Sequence, residues 1–275
     1  MRARAGACLV ARQPAIVVEV TAARGSAPRG RGTRMLVAAD ACFGTIGGGH
    51  LELQAVDTAR AMLRESDAAP RSRHYPLGPA LGQCCGGAVT LQFDRLDAAV
   101  LDRWLEAPPR FHLQLYGAGH VGRAIVCALR PLHVVVDWID EREAQFPAGP
   151  MPDEAAAGAA RVRMVCVDAV EAEVGEAPPG AFYLVLTHRH DLDLRITAAI
   201  LQRNDFDFLG LIGSKTKRAR FVRQLTARGV PPEAIARMTC PIGLPGIDGK
   251  EPEVIAAAVV AQLLAASSCG ATDPG

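Results

Sequence analysis

The stretch that most constrains this chain is Leu115-Tyr116-Gly117-Ala118-Gly119-His120-Val121-Gly122, with glycines at 117, 119 and 122. The spacing alone is a weak signal. Its setting is stronger: a strand-like run at 111–116 precedes it and a helical run at 120–130 follows. That is the context in which a glycine turn can cradle an anion. Gly117 would permit the tight turn, Gly119 would let backbone approach a phosphate, and Gly122 would let helix and strand pack closely. Amides at the start of the helix favour negative charge.

The pattern around this turn predicts the rest of the second half. Strand-like segments recur at 132–140, 161–168, 181–188 and 207–213, with helical segments near 193–203, 214–228 and 251–267. Such alternation predicts a parallel sheet with helices on both faces, a Rossmann-like α/β arrangement. In that arrangement an acid about 20 residues past the turn closes the next strand. Asp137 and Asp140 compete for the place, and Asp140 is preferred because it lies nearer the strand exit. The Ala/Gly/Pro-rich stretch 147–160 reads as a surface loop.

The first half reads as a smaller α+β domain. Strands are expected at 15–22, 34–39, 42–49, 71–77 and 88–96, and helices at 50–65 and 96–107. Pro108-Pro109 breaks the last of these. The expected domains are 1–108, an N-terminal α+β domain, and 109–275, the Rossmann-like domain.

Charge and cysteine usage exclude several classes. With 30 basic and 29 acidic side chains the net charge is +1, so no long-range field draws nucleic acid. The best apolar run, 254–266, is too short for a membrane span, and the N-terminus resembles neither a signal peptide nor a span. A cytoplasmic location is the expectation. The eight cysteines are scattered and form no CxxC, which argues against a disulfide scaffold or structural zinc site. Cys127 and Cys166 are expected in the core, and Cys8 and Cys269 in mobile ends.

Two further loops fall at strand exits, where ligands of open parallel sheets bind. Thr187-His188-Arg189-His190-Asp191-Leu192-Asp193 lacks the HxHxDH arrangement of a dinuclear hydrolase. Its readings are ligand contact through Thr187 and His188, or simple helix capping by Asp191 or Asp193. Gly213-Ser214-Lys215-Thr216-Lys217-Arg218 is not a Walker A loop. There, Ser214 and Lys215 could hold a phosphate, while Lys217 and Arg218 read as a solvated basic face.

Three short motifs mark the first half: Gly25-Ser26-Ala27-Pro28-Arg29, Ile46-Gly47-Gly48-Gly49-His50-Leu51-Glu52 and Cys85-Gly86-Gly87. They continue with the glycine turn, Thr187-His188 with Leu192-Asp193, Gly210 to Arg218, and the closing segment 241–256. Taken in this order, over roughly residues 15–265, these segments resemble the xanthine dehydrogenase accessory protein family.

The resemblance implies an accessory protein that binds the molybdenum cofactor (molybdopterin), supports its sulfuration and inserts it into xanthine dehydrogenase. It implies a cofactor-binding chaperone with no catalytic residue of its own. Implied partners are apo-xanthine dehydrogenase or a related molybdenum hydroxylase, and a cysteine desulfurase. Cofactor contacts are expected at Gly47, Gly48, Gly49, Cys85, Gly117, Gly119, Gly122, Asp140, Thr187, His188, Ser214 and Lys215. Cys85, alone or with Cys84, is the candidate thiolate for the soft metal end. A nucleotide as second ligand and a homo-oligomeric assembly stay open. The alternatives are an NAD(P)-dependent oxidoreductase, with His188 as proton donor, or a nucleotide-binding regulator.

Overall fold

The computed structural model describes residues 1–65, 69–77, 86–104, 108–148 and 160–269. The chain forms two compact units, the first running Met1–Ala107 and the second beginning at Pro108.

The N-terminal unit contains α1 (Arg2–Val10), β1 (Ala15–Arg24), β2 (Arg34–Ala38), β3 (Cys42–Gly44), α2 (Gly49–Arg64), β4 (Arg71–Pro76), β5 (Ala88–Arg95) and α3 (Ala98–Asp102). Its five strands form an antiparallel sheet in the order β3-β2-β1-β5-β4. Side chains alternate across a strand, and both faces of this sheet are used. Ile16, Val18, Val20, Met35 and Val37 pack under Leu51, Ala55, Ala59 and Met62 of α2. Ala15, Val17 and Leu36 face the other way, onto Ala5 and Cys8 of α1 and onto Trp104. Cys8 is therefore a buried core thiol, not part of a mobile end. The nine residues of α1 are too few to show a clear apolar period in the sequence, so only the packing reveals the helix.

The second unit contains β6 (His112–Tyr116), α4 (His120–Leu129), β7 (Val135–Asp140), β8 (Arg161–Cys166), β9 (Phe182–Val185), α5 (His190–Arg203), β10 (Phe208–Leu211), α6 (Lys215–Ala227), α7 (Pro232–Ala236), β11 (Met238–Thr239) and α8 (Pro252–Cys269). All strand pairs are parallel. The order β11-β10-β9-β6-β7-β8 places the first strand of the unit, β6, beside its fourth, β9. This is the doubly wound Rossmann order. One face of the sheet packs Leu113, Leu115, Val136 and Trp138 against Ile125, Val126 and Leu129 of α4 and Val259 and Leu263 of α8. The other packs Tyr116, Ile139, Tyr183 and Val185 against Leu194, Ile200, Leu201 and Phe221 of α5 and α6.

Two further cysteines depart from the sequence expectation. Cys127 is exposed because the face of α4 that meets the sheet is set by Ile125, Val126 and Leu129, and position 127 turns away from it. Cys166 is exposed because β8 is an edge strand whose side chains stay largely open. Among the described residues no helix is long and apolar enough to cross a membrane.

Candidate functional site

The strand order reverses between β6 and β9. Ligands of open parallel sheets sit outside the strand ends at such a point. The Gly117 turn leaves β6 there and the Thr187 loop leaves β9. The two touch: a Cβ added to Gly117, which has φ +122°, would stand 2.4 Å from the Leu186 carbonyl oxygen. A Cβ on Gly122 would stand 2.1 Å from the Gly117 carbonyl oxygen. Both glycines are thus fixed by close packing. Gly119 differs, because its φ is −70° and nothing lies within 4 Å of an added Cβ. It faces open space and is the N-cap of α4, where no side chain caps the first-turn amides. Those amides lack intrahelical acceptors, so an anion could accept from them.

Asp140, at the exit of β7, is 5% exposed. It accepts at Oδ2 from the Ala118 amide at 2.7 Å and from Arg142 Nη2 at 2.9 Å. At Oδ1 it accepts from the Arg142 amide and Nε, both at 2.9 Å. Burial pushes its pKa up. The hydrogen bonds from Arg142 and Ala118 outweigh that and hold the carboxyl below its usual 3.8. The carboxylate is bound to the glycine turn and to its own near neighbour. Asp137, the other candidate acid, lies farther back along β7. It accepts from His112 Nε2 at 2.7 Å and Arg163 Nε at 2.8 Å. A narrow crevice at the strand exits is lined by Ile139, Asp140, Glu141, Thr187 and His188, among others.

Thr187 is held by Asp193, which is fully buried. Asp193 Oδ1 accepts from the Thr187 amide at 3.0 Å and from its hydroxyl at 2.7 Å. Asp193 therefore reaches back to the loop before α5 and caps none of the helix's own amides; the N-cap position is Arg189. Asp191 stays exposed and pairs with Arg189, whose hydrogen bond pulls its pKa to about 2. His188 Nε2 lies 3.6 Å from Glu141 Oε1.

The other oxygen of Asp193 accepts from Lys217 Nζ at 2.6 Å, and the same ammonium donates to the Ile212 carbonyl at 2.8 Å. The Lys217 side chain is only 9% exposed. It is not on a solvated basic face: it ties the exit loop of β9 to that of β10. Ser214 caps α6, its Oγ accepting from the Lys217 amide at 3.2 Å, and Lys215 is exposed beside it.

In the N-terminal unit the motif segments converge. Gly47, Gly48 and Gly49 all have positive φ, at 126°, 73° and 64°. Glu52 gathers this loop, its Oε2 accepting from the Thr45 hydroxyl and from the Ile46 and Gly48 amides at 3.0 and 3.1 Å. A Cβ on Gly47 would meet Pro28 at 2.5 Å, and one on Gly87 would meet the Ser26 carbonyl oxygen at 2.6 Å. The loops at 25–28, 46–49 and 86–87 therefore sit together. Gly48 faces open space. Cys84 and Cys85 lie outside the described residues.

Sequence reasoning missed the supporting roles of four residues: Glu52, the paired Asp193 and Lys217, and Arg142. Glu52 and Asp193 stood inside recognised motifs, but their partners are set by tertiary contacts. Arg142, two residues after Asp140, was the one local signal available.

Comparison with known proteins agrees with this architecture. A family model described as the XdhC Rossmann domain matches residues 113–263, and one described as the XdhC and CoxI family matches residues 8–76. The chain belongs to the XdhC family. It is 30% identical over 256 residues to the uncharacterized protein YqeB of Escherichia coli K12, covering 91% of this chain and 43% of YqeB. The chain thus spans less than half the length of that curated relative. A crystal structure from Bacillus halodurans, described as a xanthine dehydrogenase, superposes with a TM-score of 0.76 at 21% identity. It covers 100% of this chain and 97% of its own. At that identity the likeness speaks for the fold of this XdhC-family chain.

Proposed function

We propose that this chain is an accessory protein in the maturation of a molybdenum hydroxylase of the xanthine dehydrogenase type. It holds the molybdenum–pterin cofactor, supports its sulfuration together with a cysteine desulfurase, and passes it to the apo-enzyme. The observation that carries the reading is family membership across both units of the chain. The geometry is compatible with it. The cofactor's phosphate suits the uncapped start of α4 beside Gly119, where an added Cβ meets nothing. Thr187, His188, Ser214 and Lys215 stand on the neighbouring strand-exit loops. The loop of Gly47, Gly48 and Gly49 offers a second glycine-lined surface. Cys85, next to Gly86, is the proposed soft ligand toward molybdenum. When bound, the cofactor supplies redox chemistry to the hydroxylase; this chain's residues bind it, orient it and keep it from water.

An NAD(P)-dependent oxidoreductase fits less well, because Asp140 is already taken up by Arg142 and Ala118. The test is transfer. Protein purified from cells that make the cofactor is mixed with apo-xanthine dehydrogenase, and hydroxylase activity is followed. Wild type activates the apo-enzyme, and Cys85→Ser activates it less. Failure of loaded wild-type protein to activate any such hydroxylase would reject the role.

A further inference from the structure

The acid that closes the second strand of a dinucleotide-binding sheet accepts hydrogen bonds from a ribose diol. A diol offers two O–H donors, side by side, to the two oxygens of the carboxylate. At Asp140 that pattern is already supplied from within the chain. Arg142 Nε donates to Oδ1 and Nη2 to Oδ2, each at 2.9 Å, a bidentate charge-assisted pair. The backbone amides of Arg142 and Ala118 supply one more donor to each oxygen. An ionised carboxylate has about four lone-pair sites, and here four donors fill them.

The rest of the turn remains available. Gly119 faces open space and the α4 start carries no side-chain cap. The Ala118 amide, by contrast, is committed to Asp140. The turn can therefore receive a phosphate, while the position where a nucleoside would extend is closed by a guanidinium.

We infer that Arg142 is a specificity-determining residue: it occupies the ribose-diol position on Asp140 and restricts the switch-point site to phosphate ligands without an adjoining nucleoside. The inference rests on the phosphate site assigned above to the α4 start. It narrows the ligand class to compounds ending in a phosphomonoester, as the mononucleotide-free pterin cofactor does, and excludes adenine and pyridine dinucleotides.

The experiment is a set of titrations of the full-length protein, wild type, Arg142→Ala and Arg142→Gln, with ADP-ribose, 2′-phospho-ADP-ribose and inorganic phosphate. Wild type is expected to bind neither ribose compound more tightly than phosphate. Both variants are expected to gain about tenfold or more in ADP-ribose affinity, the effect of one charge-assisted pair no longer competing. The glutamine variant keeps much of the side-chain stem, and circular dichroism confirms that each variant is folded. Wild type that prefers ADP-ribose to phosphate would overturn the inference. So would wild type that prefers 2′-phospho-ADP-ribose, because Arg142 would then swing outward as a ligand. So would folded variants that show no gain. Failure of the underlying phosphate site reads differently: Gly119→Val would then bind phosphate as well as wild type does.

Discussion

The Asp193–Lys217 pair offers the sharpest energetic test of how the strand-exit loops are held. Asp193 is fully buried and the Lys217 side chain is 9% exposed, with 2.6 Å between Nζ and Oδ2. Lys217→Met keeps most of the stem and removes the charge. Removing one partner of a buried pair costs about 3–5 kcal/mol because the other charge is left uncompensated. Asp193 keeps two donors from Thr187, so a loss of roughly 2–4 kcal/mol is expected. In a domain of this size each kcal/mol lowers Tm by about 2–4 °C. The double variant Asp193→Asn/Lys217→Met removes both charges and should lose distinctly less than the sum, with a coupling of roughly 2 kcal/mol. Two tryptophans make the assay specific: Trp104 lies in the N-terminal unit and Trp138 in the second. In a Trp104→Phe background, urea unfolding followed by fluorescence reports the second unit alone. A Lys217→Met loss below about 0.5 kcal/mol, the level of a surface substitution, would refute the buried-pin reasoning.

Four further outcomes follow. Gly122→Ala should destabilise the second unit by about 1–3 kcal/mol, since its Cβ would stand 2.1 Å from the Gly117 oxygen, whereas Gly119→Val should fold yet bind phosphate more weakly; urea melts and titration separate the two. Glu52→Ala should lower the stability of the N-terminal unit by about 1–2 kcal/mol, read from Trp104 fluorescence, because the Ile46 and Gly48 amides lose their acceptor. Among the described cysteines, brief alkylation of the native protein with peptide mapping should modify Cys42, Cys127 and Cys166 and spare Cys8 and Cys240, whose thiol is also pushed up by burial. The second unit should lose stability as pH falls below about 3.8. Asp137 and Asp140 are held below that value when folded, so their contribution is complete above the unfolded pKa and disappears on acidification; melts at stepped pH check it.

Much of the framework was legible in the sequence because it is written in local pattern. Strands at 111–116 and 181–188 announce themselves by apolar runs, and the glycines at 117, 119 and 122 by their spacing between strand and helix. The strand order, and with it the meeting of the Gly117 and Thr187 loops, lies beyond local pattern: the chirality rules of parallel sheets narrow the choices, and the pairing of β6 with β9 decides among them. What escaped was contact-dependent. Cys127 and Cys166 sit in apolar company along the chain, yet one faces off its helix and the other lies on an edge strand. Lys217 looks like one of several cations opening α6, and only the buried Asp193 across the loops makes it structural. Cys8 lies ahead of the first expected strand, outside any pattern that marks it as core, and is buried because α1 folds onto the back of the sheet.

The most direct test of the proposed function is the identity of the ligand carried by the protein when it is purified from cells that make the molybdenum cofactor. The bound small molecule is released, oxidised and identified by fluorescence and mass spectrometry, with molybdenum measured per chain. A pterin phosphate with molybdenum is expected, present in wild type and reduced in Gly119→Val. A preparation free of pterin and carrying a nicotinamide or adenine dinucleotide would contradict it.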